Sequence, residues 1–288
     1  MITGKKIDAG CYLDMPDELY HSAFGAGSSD LRRLLNSSPG HLWHDQTHGR
    51  KPPTADMLFG SLFHLAMLQP DLWAEKVCQV PADAPKRPSP AQINAKKPSD
   101  ETLKAVAFWD NFNALSAGKL TPDQEAVDRC QAMIKSIKSH SSAMAALSGG
   151  QSEVSAFGVD PETGVTVKAR FDRLPTGGNA IVDIKTCACS ATEPFLKHSY
   201  EYGYHIQAAY YKGLSALAGD GRQEFCIVAV EKSAPYPVNV FRMTEKALAK
   251  GQEKVCEALM LYAACERAND WPLYGSGVQE LDLPFWVK

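Results

Sequence analysis

The stretch that decides the fold is VTVKARFDRLPTGGNAIVDIKT, residues 165–186. Apolar and polar side chains alternate in its first half, which is typical of a half-buried strand and predicts one over Val165–Leu174. Pro175-Thr-Gly-Gly178 supplies a turn, and the apolar run after it predicts a second strand over Asn179–Thr186. Residues 165–186 therefore predict a β-hairpin with acidic and basic side chains on both strands.

Three carboxylates are predicted to meet on this hairpin and the strand before it. Symmetric pairing about Gly177-Gly178 places Asp172 opposite Asp183, and Lys185 lies two residues further along the same face. A preceding strand over Gln151–Val159 places Glu153 opposite Asp172 when Pro161–Gly164 forms the loop. A bulge in either turn would shift this register. Without one, Glu153, Asp172 and Asp183 form a row across three strands.

Such a row calls for a cation, because neighbouring carboxylates repel one another. Lys185 supplies one positive charge, and a divalent metal would supply more. Mg²⁺ prefers oxygen ligands and commonly combines one or two carboxylates with substrate phosphates. The row therefore suits metal-dependent phosphodiester hydrolysis, in which a lysine stabilises the developing negative charge. The alternative is a polar sheet face whose charges are simply solvated.

The rest of the chain predicts an α+β protein with a small mixed sheet flanked by helices. We expect one domain over 1–288, with a helical part over about 1–150, a sheet-bearing core over about 151–270 and an irregular tail over 271–288. Six helices are expected. The first follows a cap at Ser28-Ser29, and the others span Met57–Leu68 (apolar nearly all round), Glu101–Leu115, Pro122–Leu147 (capped by Thr121), Thr192–Leu217 (with a break near Gly203) and Thr244–Asn269. Further strands are expected over Phe225–Val230 and Tyr236–Arg242, and an exposed loop over Pro81–Asp100.

Composition narrows the classes of protein. The 288 residues are 44% hydrophobic and 22% charged, which excludes a disordered or collagen-like chain. The net charge of −3 excludes a uniformly basic nucleic-acid coat but leaves room for a local basic groove. The longest apolar run, 57–68, is shorter than the roughly 20 residues of a membrane span. Eight cysteines without a Cys-x-x-Cys pair predict reduced thiols in the cytoplasm and no iron–sulfur cluster.

Lys168-Ala-Arg-Phe-Asp172 followed by Ile181-Val-Asp-Ile-Lys-Thr186 resembles the PD-(D/E)xK nuclease signature, with Phe171 in place of the strict proline. More specifically, the chain resembles the RecE-type exonucleases, the family of the exodeoxyribonuclease VIII nuclease domain. The further stretches that carry this resemblance are Ser28–Leu31 with Ser38-Pro39, Gly60–His64, Tyr202–Tyr210, Asp270–Pro272 and Leu283–Trp286.

The resemblance implies a PD-(D/E)xK nuclease fold and an Mg²⁺-dependent exonuclease that degrades linear double-stranded DNA from 5′ to 3′, with Mn²⁺ able to replace Mg²⁺. It also implies a ring-like homo-oligomer, a single-strand annealing partner, a phage or prophage recombination setting and no membrane. Three alternatives stay open: a sequence- or structure-specific endonuclease, a catalytically idle DNA-binding or assembly subunit, and a nuclease with an iron–sulfur cluster.

The resemblance also assigns roles by position. Asp172 and Asp183 would bind metal, Lys185 would be the catalytic lysine, and His64 and Glu153 would extend the metal shell. Gln207 would belong to the supporting helix motif, and the carbonyl of Ile184 would be a further metal ligand. From the sequence alone, His64 equally fits a satisfied histidine in an apolar helix.

Six further residues are candidates for DNA contact. The four basic ones could neutralise phosphates or merely be solvated, and the two tyrosines share a helix face with Gln207, where packing against the sheet is the alternative. These candidates are Arg32, Arg33, Lys168, Arg170, Tyr204 and Tyr211.

Overall fold

The computed structural model describes residues 4–283 and contains a six-stranded mixed sheet. The strands are β1 (Gly10–Tyr12), β2 (Gln151–Val159), β3 (Thr166–Leu174), β4 (Ala180–Cys187), β5 (Glu224–Glu231) and β6 (Val238–Arg242). They lie side by side in sequence order, and all neighbours are antiparallel except β4 and β5, which are parallel. A parallel pair needs a crossover, which two helices between β4 and β5 provide.

Most helices precede the sheet in sequence, as predicted. The helices are α1 (Asp17–Ser22), α2 (Ser28–Asn36), α3 (Pro39–His48), α4 (Ala55–Leu68), α5 (Trp73–Lys76), α6 (Pro90–Ile93), α7 (Asp100–Leu115), α8 (Gln124–Ser139), α9 (Ser141–Leu147), α10 (Thr192–Glu201), α11 (Tyr204–Leu217) and α12 (Glu245–Ala268). A 3₁₀ turn spans Pro70–Leu72.

The sheet separates two apolar clusters, one on each face. On one face, α2, α11 and α12 pack against Val167, Phe171 and Ile181. On the other face, α4, α8 and α9 pack against Val182 and Ile184. Consecutive residues of β4 thus bury side chains on opposite faces, as strand geometry requires. The sheet is covered by helices on both sides, and this layering confirms the predicted α+β class.

The two predicted hairpins have the predicted register. Arg173 pairs with Val182 across β3 and β4, and Ser152 pairs with Arg173 across β2 and β3. The predicted break in the helical segment Thr192–Leu217 is also present, because Gly203 adopts a left-handed φ of 65° between α10 and α11.

Several local predictions are wrong. The segment predicted as one helix over Pro122–Leu147 is two helices separated at His140, and Asp123 rather than Thr121 caps the first. Gly27, not a serine, caps α2, because its backbone N–H donates to Asp30 Oδ2 at 2.7 Å. The helix predicted over Met57–Leu68, which is α4, was expected to be buried on most sides, but Met57 is 61% exposed.

The strand β1 has no counterpart in the predictions, since three residues are too few for a recognisable period. Pro81–Asp100 is largely irregular, as predicted, apart from the single turn of α6. The motif Leu283–Trp286 extends beyond the described residues. No helix in the described part of the chain is both long and apolar enough to cross a membrane.

Strand β3 loses its regular alternation at Asp172. Phe171 packs its ring against Tyr211 of α11 at a centroid distance of 5.2 Å. Arg173, two residues on, instead donates from Nε to the carbonyl of Leu147 in α9, on the opposite face. In a regular strand, side chains two residues apart point to the same face. Phe171 and Arg173 point to opposite faces, so the alternation is broken between them, and we call this break the slip. This slip decides which way the central carboxylate points.

Strand β2, which pairs with β3, is also irregular at the position opposite Asp172. Glu153 of β2 has a φ of 52°, in the left-handed region that a non-glycine residue rarely adopts. On the other side, Asp172 Oδ2 accepts a hydrogen bond of 2.7 Å from the backbone N–H of Ile184. A side chain therefore takes the place of a carbonyl between β3 and β4. The distortion is concentrated at the predicted site, where strained backbone is most often retained.

Candidate active site

Three potential metal ligands converge from separate elements. His64 comes from α4, Glu153 from β2 and Asp172 from β3. One nitrogen or carboxylate oxygen from each lies within 4.8 Å of the others. Among the described residues, this group differs from the predicted row in containing His64 and not Asp183, and Asp183 as a metal ligand stays a prediction. The slip at Asp172 explains the difference, because it turns that carboxylate toward α4.

The orientation of His64 is fixed by the backbone of β4. Its Nε2 lies 3.0 Å from the carbonyl oxygen of Ile184. A carbonyl only accepts, so Nε2 carries a proton, and a neutral imidazole in this orientation presents the lone pair of Nδ1. That Nδ1 faces Asp172 Oδ2 at 3.6 Å. Two acceptors facing each other at this distance favour a cation between them.

Glu153 is held close to Asp172 in a largely buried position. Burial is the main cause that raises the pKa of Glu153 to about 8, and repulsion from the Asp172 carboxylate is the second. A carboxylate in this state gains from a nearby positive charge, since the charge offsets both burial and repulsion. Its position therefore suits a metal ligand.

Asp183 and Lys185 of β4 form a second group. Lys185 Nζ lies 2.6 Å from Asp183 Oδ2, and Gln207 Nε2 of α11 donates to Asp183 Oδ1 at 2.8 Å. Burial raises the pKa of Asp183 to about 6, although Lys185 opposes this rise. Burial alone would lower the pKa of Lys185, but the Asp183 and Asp172 carboxylates outweigh it and raise that pKa. Lys185 is thus held as an ammonium ion.

One oxygen of this second group retains bonding capacity. Asp183 Oδ2 is buried and receives no hydrogen bond of acceptable angle, so the close Lys185 ammonium acts on it as an ion pair only. A buried oxygen with unused lone pairs is unfavourable unless another partner binds it. The imidazole nitrogen of His64 and the carboxylates of Glu153 and Asp172 form a donor set that fits a hard divalent cation, and Asp183 as a further ligand stays a prediction.

The remaining predicted ligand is the Ile184 carbonyl. It already accepts the His64 hydrogen bond, which uses one of its two lone pairs. Its role as a metal ligand stays a prediction. The contact nevertheless ties the residue between Asp183 and Lys185 directly to the histidine helix.

A pocket of about 350 Å³ opens beside Lys185. Its walls come from α2, from β3 and β4, and from the junction of α10 and α11. They include the predicted residues Arg32, Lys168, Tyr204, Gln207 and Tyr211, together with Tyr20, Ser28, Ser29 and Tyr202. The last four were not predicted. The sequence signals for Tyr202 are the glycine that follows it and its place at the start of the Tyr202–Tyr210 stretch.

The four basic residues predicted to contact phosphate differ in their partners. Arg33 Nε lies 2.7 Å from an aspartate of α3. Lys168 Nζ donates to three carbonyls at the end of α1, at 2.6, 3.0 and 3.2 Å. Arg170 pairs with an aspartate of α1. Arg32 donates from one terminal nitrogen to the Tyr202 carbonyl, while its buried Nε has no partner. Phosphate contact by these side chains stays a prediction.

The family described as "PDDEXK-like domain of unknown function (DUF3799)" matches residues 27–283. The chain belongs to this family. The match spans the histidine helix, the hairpin and the Gln207 helix, which carry the two groups described above, and it supports a PD-(D/E)xK nuclease. The role of these residues as its active site stays a prediction. Nucleases of this family use divalent metals, and the donor set described above fits that use.

The fold agrees with this membership. The crystal structure of a "Putative exonuclease" from Eubacterium rectale aligns with a TM-score of 0.57 and 15% identity, covering 93% of this chain and 97% of that one. A "phage related exonuclease" from Haemophilus somnus 129PT aligns at 15% identity over 65% of this chain and 92% of its own, with a TM-score of only 0.29. No protein with a curated description matches the sequence. The family match and the alignment with the Eubacterium rectale structure agree on a PDDEXK-like fold.

Proposed function

We propose that this nuclease is an Mg²⁺-dependent exonuclease that degrades linear double-stranded DNA from 5′ to 3′ and leaves single strands for annealing-type recombination. The observation that carries the metal-dependent chemistry is the convergence of His64, Glu153 and Asp172 beside the Asp183–Lys185 pair. The polarity, the duplex substrate and the recombination setting rest on the resemblance to RecE-type exonucleases.

The residues divide the work by position. His64, Glu153, Asp172 and the open oxygen of Asp183 would hold the metal, which supplies an activated water and polarises the phosphoryl group. Lys185 faces the neighbouring pocket, where its ammonium would stabilise negative charge that develops on the scissile phosphate. Gln207 acts through Asp183, whose carboxylate it orients by a hydrogen bond.

The assembly belongs to the same proposal. A ring of several copies would surround the duplex, and a single-strand annealing protein would receive the released strand. Mn²⁺ would replace Mg²⁺, because the donor set contains oxygen and imidazole ligands that also suit manganese. A protein that processes the ends of DNA during recombination would be located in the cytoplasm.

Digestion of linear duplex DNA labelled at either the 5′ or the 3′ end tests the proposal. The wild type should release the 5′ label early, in Mg²⁺ or Mn²⁺ but not with a chelator. Lys185→Ala should lose nearly all cleavage, while Lys254→Ala on the exposed side of α12 should behave like the wild type.

The other outcomes each replace the proposal with a specific alternative. Early release of the 3′ label would reverse the polarity. Cutting of closed circular DNA would identify an endonuclease, because such DNA has no end. Gel retardation without any metal-dependent cleavage would identify a DNA-binding or assembly subunit.

A further inference from the structure

An exposed tyrosine lies at the rim of the pocket beside Lys185. Tyr202 is 56% exposed, although its neighbour Tyr204 is buried. Both rings line the same pocket as the Lys185 ammonium, and Tyr204 lies under that ammonium at 5.1 Å from Nζ to the ring centroid. A large apolar ring that remains in water at the edge of a site is a candidate for contact with a ligand.

The inner face of Tyr202 is supported by a stack of rings that begins in the core. Phe241 and Phe195 stack at 4.6 Å with an angle of 6°, and His198 follows Phe195 at 5.9 Å. Tyr202 stacks on His198 at 4.2 Å. Because this stack covers only one face, the opposite face of Tyr202 is left to solvent or to a further flat group.

The backbone holds this ring in place. The N–H of Tyr202 donates to the carbonyl of His198 at 2.9 Å, and its own carbonyl accepts from Arg32. Gly203 then takes a left-handed conformation that ends one helix before the next begins. A ring fixed by its neighbours loses little conformational freedom on binding, which favours its use as a contact surface.

Cationic and hydroxyl groups lie on the same pocket. Arg32 Nε is buried without a hydrogen-bond partner, and the hydroxyl-bearing Ser28 and Ser29 line the wall beside it. A flat ring, the Arg32 guanidinium and the Lys185 ammonium all line one small volume, and they match the three parts of a nucleotide end: a base, a phosphate and a reacting link.

We propose that Tyr202 is a stacking platform for the nucleobase next to the scissile phosphate, with Arg32 binding the adjoining phosphate. This inference rests on the proposed function, since it takes DNA as the ligand. Stacking is tolerant of sequence because every base has a π-face. Tyr202 would thus position any DNA end against Lys185 without reading its sequence.

The chain contains a matched control two residues earlier. Tyr200 is 72% exposed and also stacks on a histidine, His205, at 5.4 Å. It does not line the pocket. Tyr200→Ala therefore removes another mostly exposed ring that stacks on a histidine near the same helix junction, without touching the proposed platform.

Steady-state digestion of linear duplex compares the wild type with Tyr202→Ala, Tyr202→Phe and Tyr200→Ala. Loss of one base stack should raise KM about ten-fold in Tyr202→Ala. Tyr202→Phe keeps the ring and should stay close to the wild type, as should Tyr200→Ala. Thermal melts of all four proteins should agree, because both tyrosines are mostly exposed.

A binding measurement reports stacking directly. Each protein also carries Asp172→Asn, which leaves the pocket lining unchanged. The DNA carries 2-aminopurine as its terminal base, and the fluorescence of this base should change when the protein binds the DNA end. This change should disappear only with Tyr202→Ala. Equal behaviour of Tyr202→Ala and Tyr200→Ala would overturn the inference, as would loss of the signal in Tyr202→Phe. If the wild type bound DNA ends with this signal but cleaved nothing, only the proposed nuclease function would fail.

Discussion

His64 Nε2 lies 3.0 Å from the carbonyl oxygen of Ile184, the residue between Asp183 and Lys185. A helix from the N-terminal half is thereby joined to the backbone of the strand that carries the lysine. The same bond sets the tautomer of the imidazole and directs Nδ1 at Asp172. One hydrogen bond thus ties the histidine of the candidate metal site to the strand that carries the Asp183–Lys185 ion pair.

His64→Ala should weaken binding of Mn²⁺ at least ten-fold and remove most cleavage, because it takes away one ligand and the anchor of the cluster. Calorimetric titration with Mn²⁺ and digestion of linear duplex would measure the two effects. Ser61→Ala is the control, since Ser61 lies on the same helix and bonds only to the Met57 carbonyl. Normal metal binding by His64→Ala would remove this histidine from the site.

The sequence predicted the pairing of the strands but not the direction of every side chain. The register followed from turn positions, because a hairpin pairs its strands symmetrically about the turn. The separation of Asp172 from Asp183 could not follow, since it depends on the left-handed backbone of Glu153 and on an Asp172–Ile184 hydrogen bond. Both are tertiary features that periodicity does not encode.

Glu153→Gln should alter the pH dependence of stability in the metal-free protein. The pKa of Glu153 is about 8 in the folded state and near 4.5 when unfolded. The folded state therefore holds one extra proton between these values, and stability falls as pH rises through this window. Each unit of the shift is worth about 1.4 kcal/mol. Glutamine stays neutral, so Glu153→Gln should not lose stability as the pH rises through this window.

Urea unfolding in a chelator at pH 5.5 and pH 8.5 would measure the effect. Relative to the wild type, Glu153→Gln should be more stable at the higher pH by a few kcal/mol, with a smaller difference at the lower pH. The exposed Glu257 on α12 offers the control Glu257→Gln, which should show no such pH dependence. Parallel pH profiles for Glu153→Gln and the wild type would contradict the assigned burial.

The basic residues show a second limit of sequence reasoning. Lys168 and Arg170 alternate with apolar residues, which is also the pattern of solvated charges on a sheet surface. Their spacing therefore could not distinguish contact with phosphate from solvation. In the structure, Lys168 completes the carbonyl end of α1, and Arg170 bonds to a serine of β2 and the carbonyl of Met15. Long-range partners of this kind depend on where the first 25 residues pack, which no local pattern reveals.

Lys185→Met should destabilise the metal-free protein more at pH 8 than at pH 5. The variant leaves Asp183 buried without its cation, and an unpaired buried charge costs about 3–5 kcal/mol. The pKa of Asp183 is already raised to about 6 with Lys185 present, so its folded state gains a proton as pH falls and the penalty shrinks. Denaturant unfolding at the two pH values would measure this.

The double variant Lys185→Met/Asp183→Asn tests the cause of that loss. An amide is neutral and can still accept the Gln207 hydrogen bond, so most of the stability at pH 8 should return. Cleavage should stay absent, since both the ammonium and the carboxylate are gone. Equal stability of the single and double variants at pH 8 would show that the ion pair does not carry the effect.

Two helical glycines should respond to alanine in opposite directions. A Cβ on Gly251 of α12 would lie 2.0 Å from the backbone carbonyl oxygen of His205, so α12 and α11 cross too closely for any side chain. Gly251→Ala should therefore cost about 1–3 kcal/mol and lower Tm by several degrees. Gly213 of α11 has open space around the same position, and Gly213→Ala should add up to about 1 kcal/mol through helix propensity alone. Differential scanning calorimetry of both variants measures the two signs, and a Gly251→Ala protein as stable as the wild type would show that the helices are further apart than described.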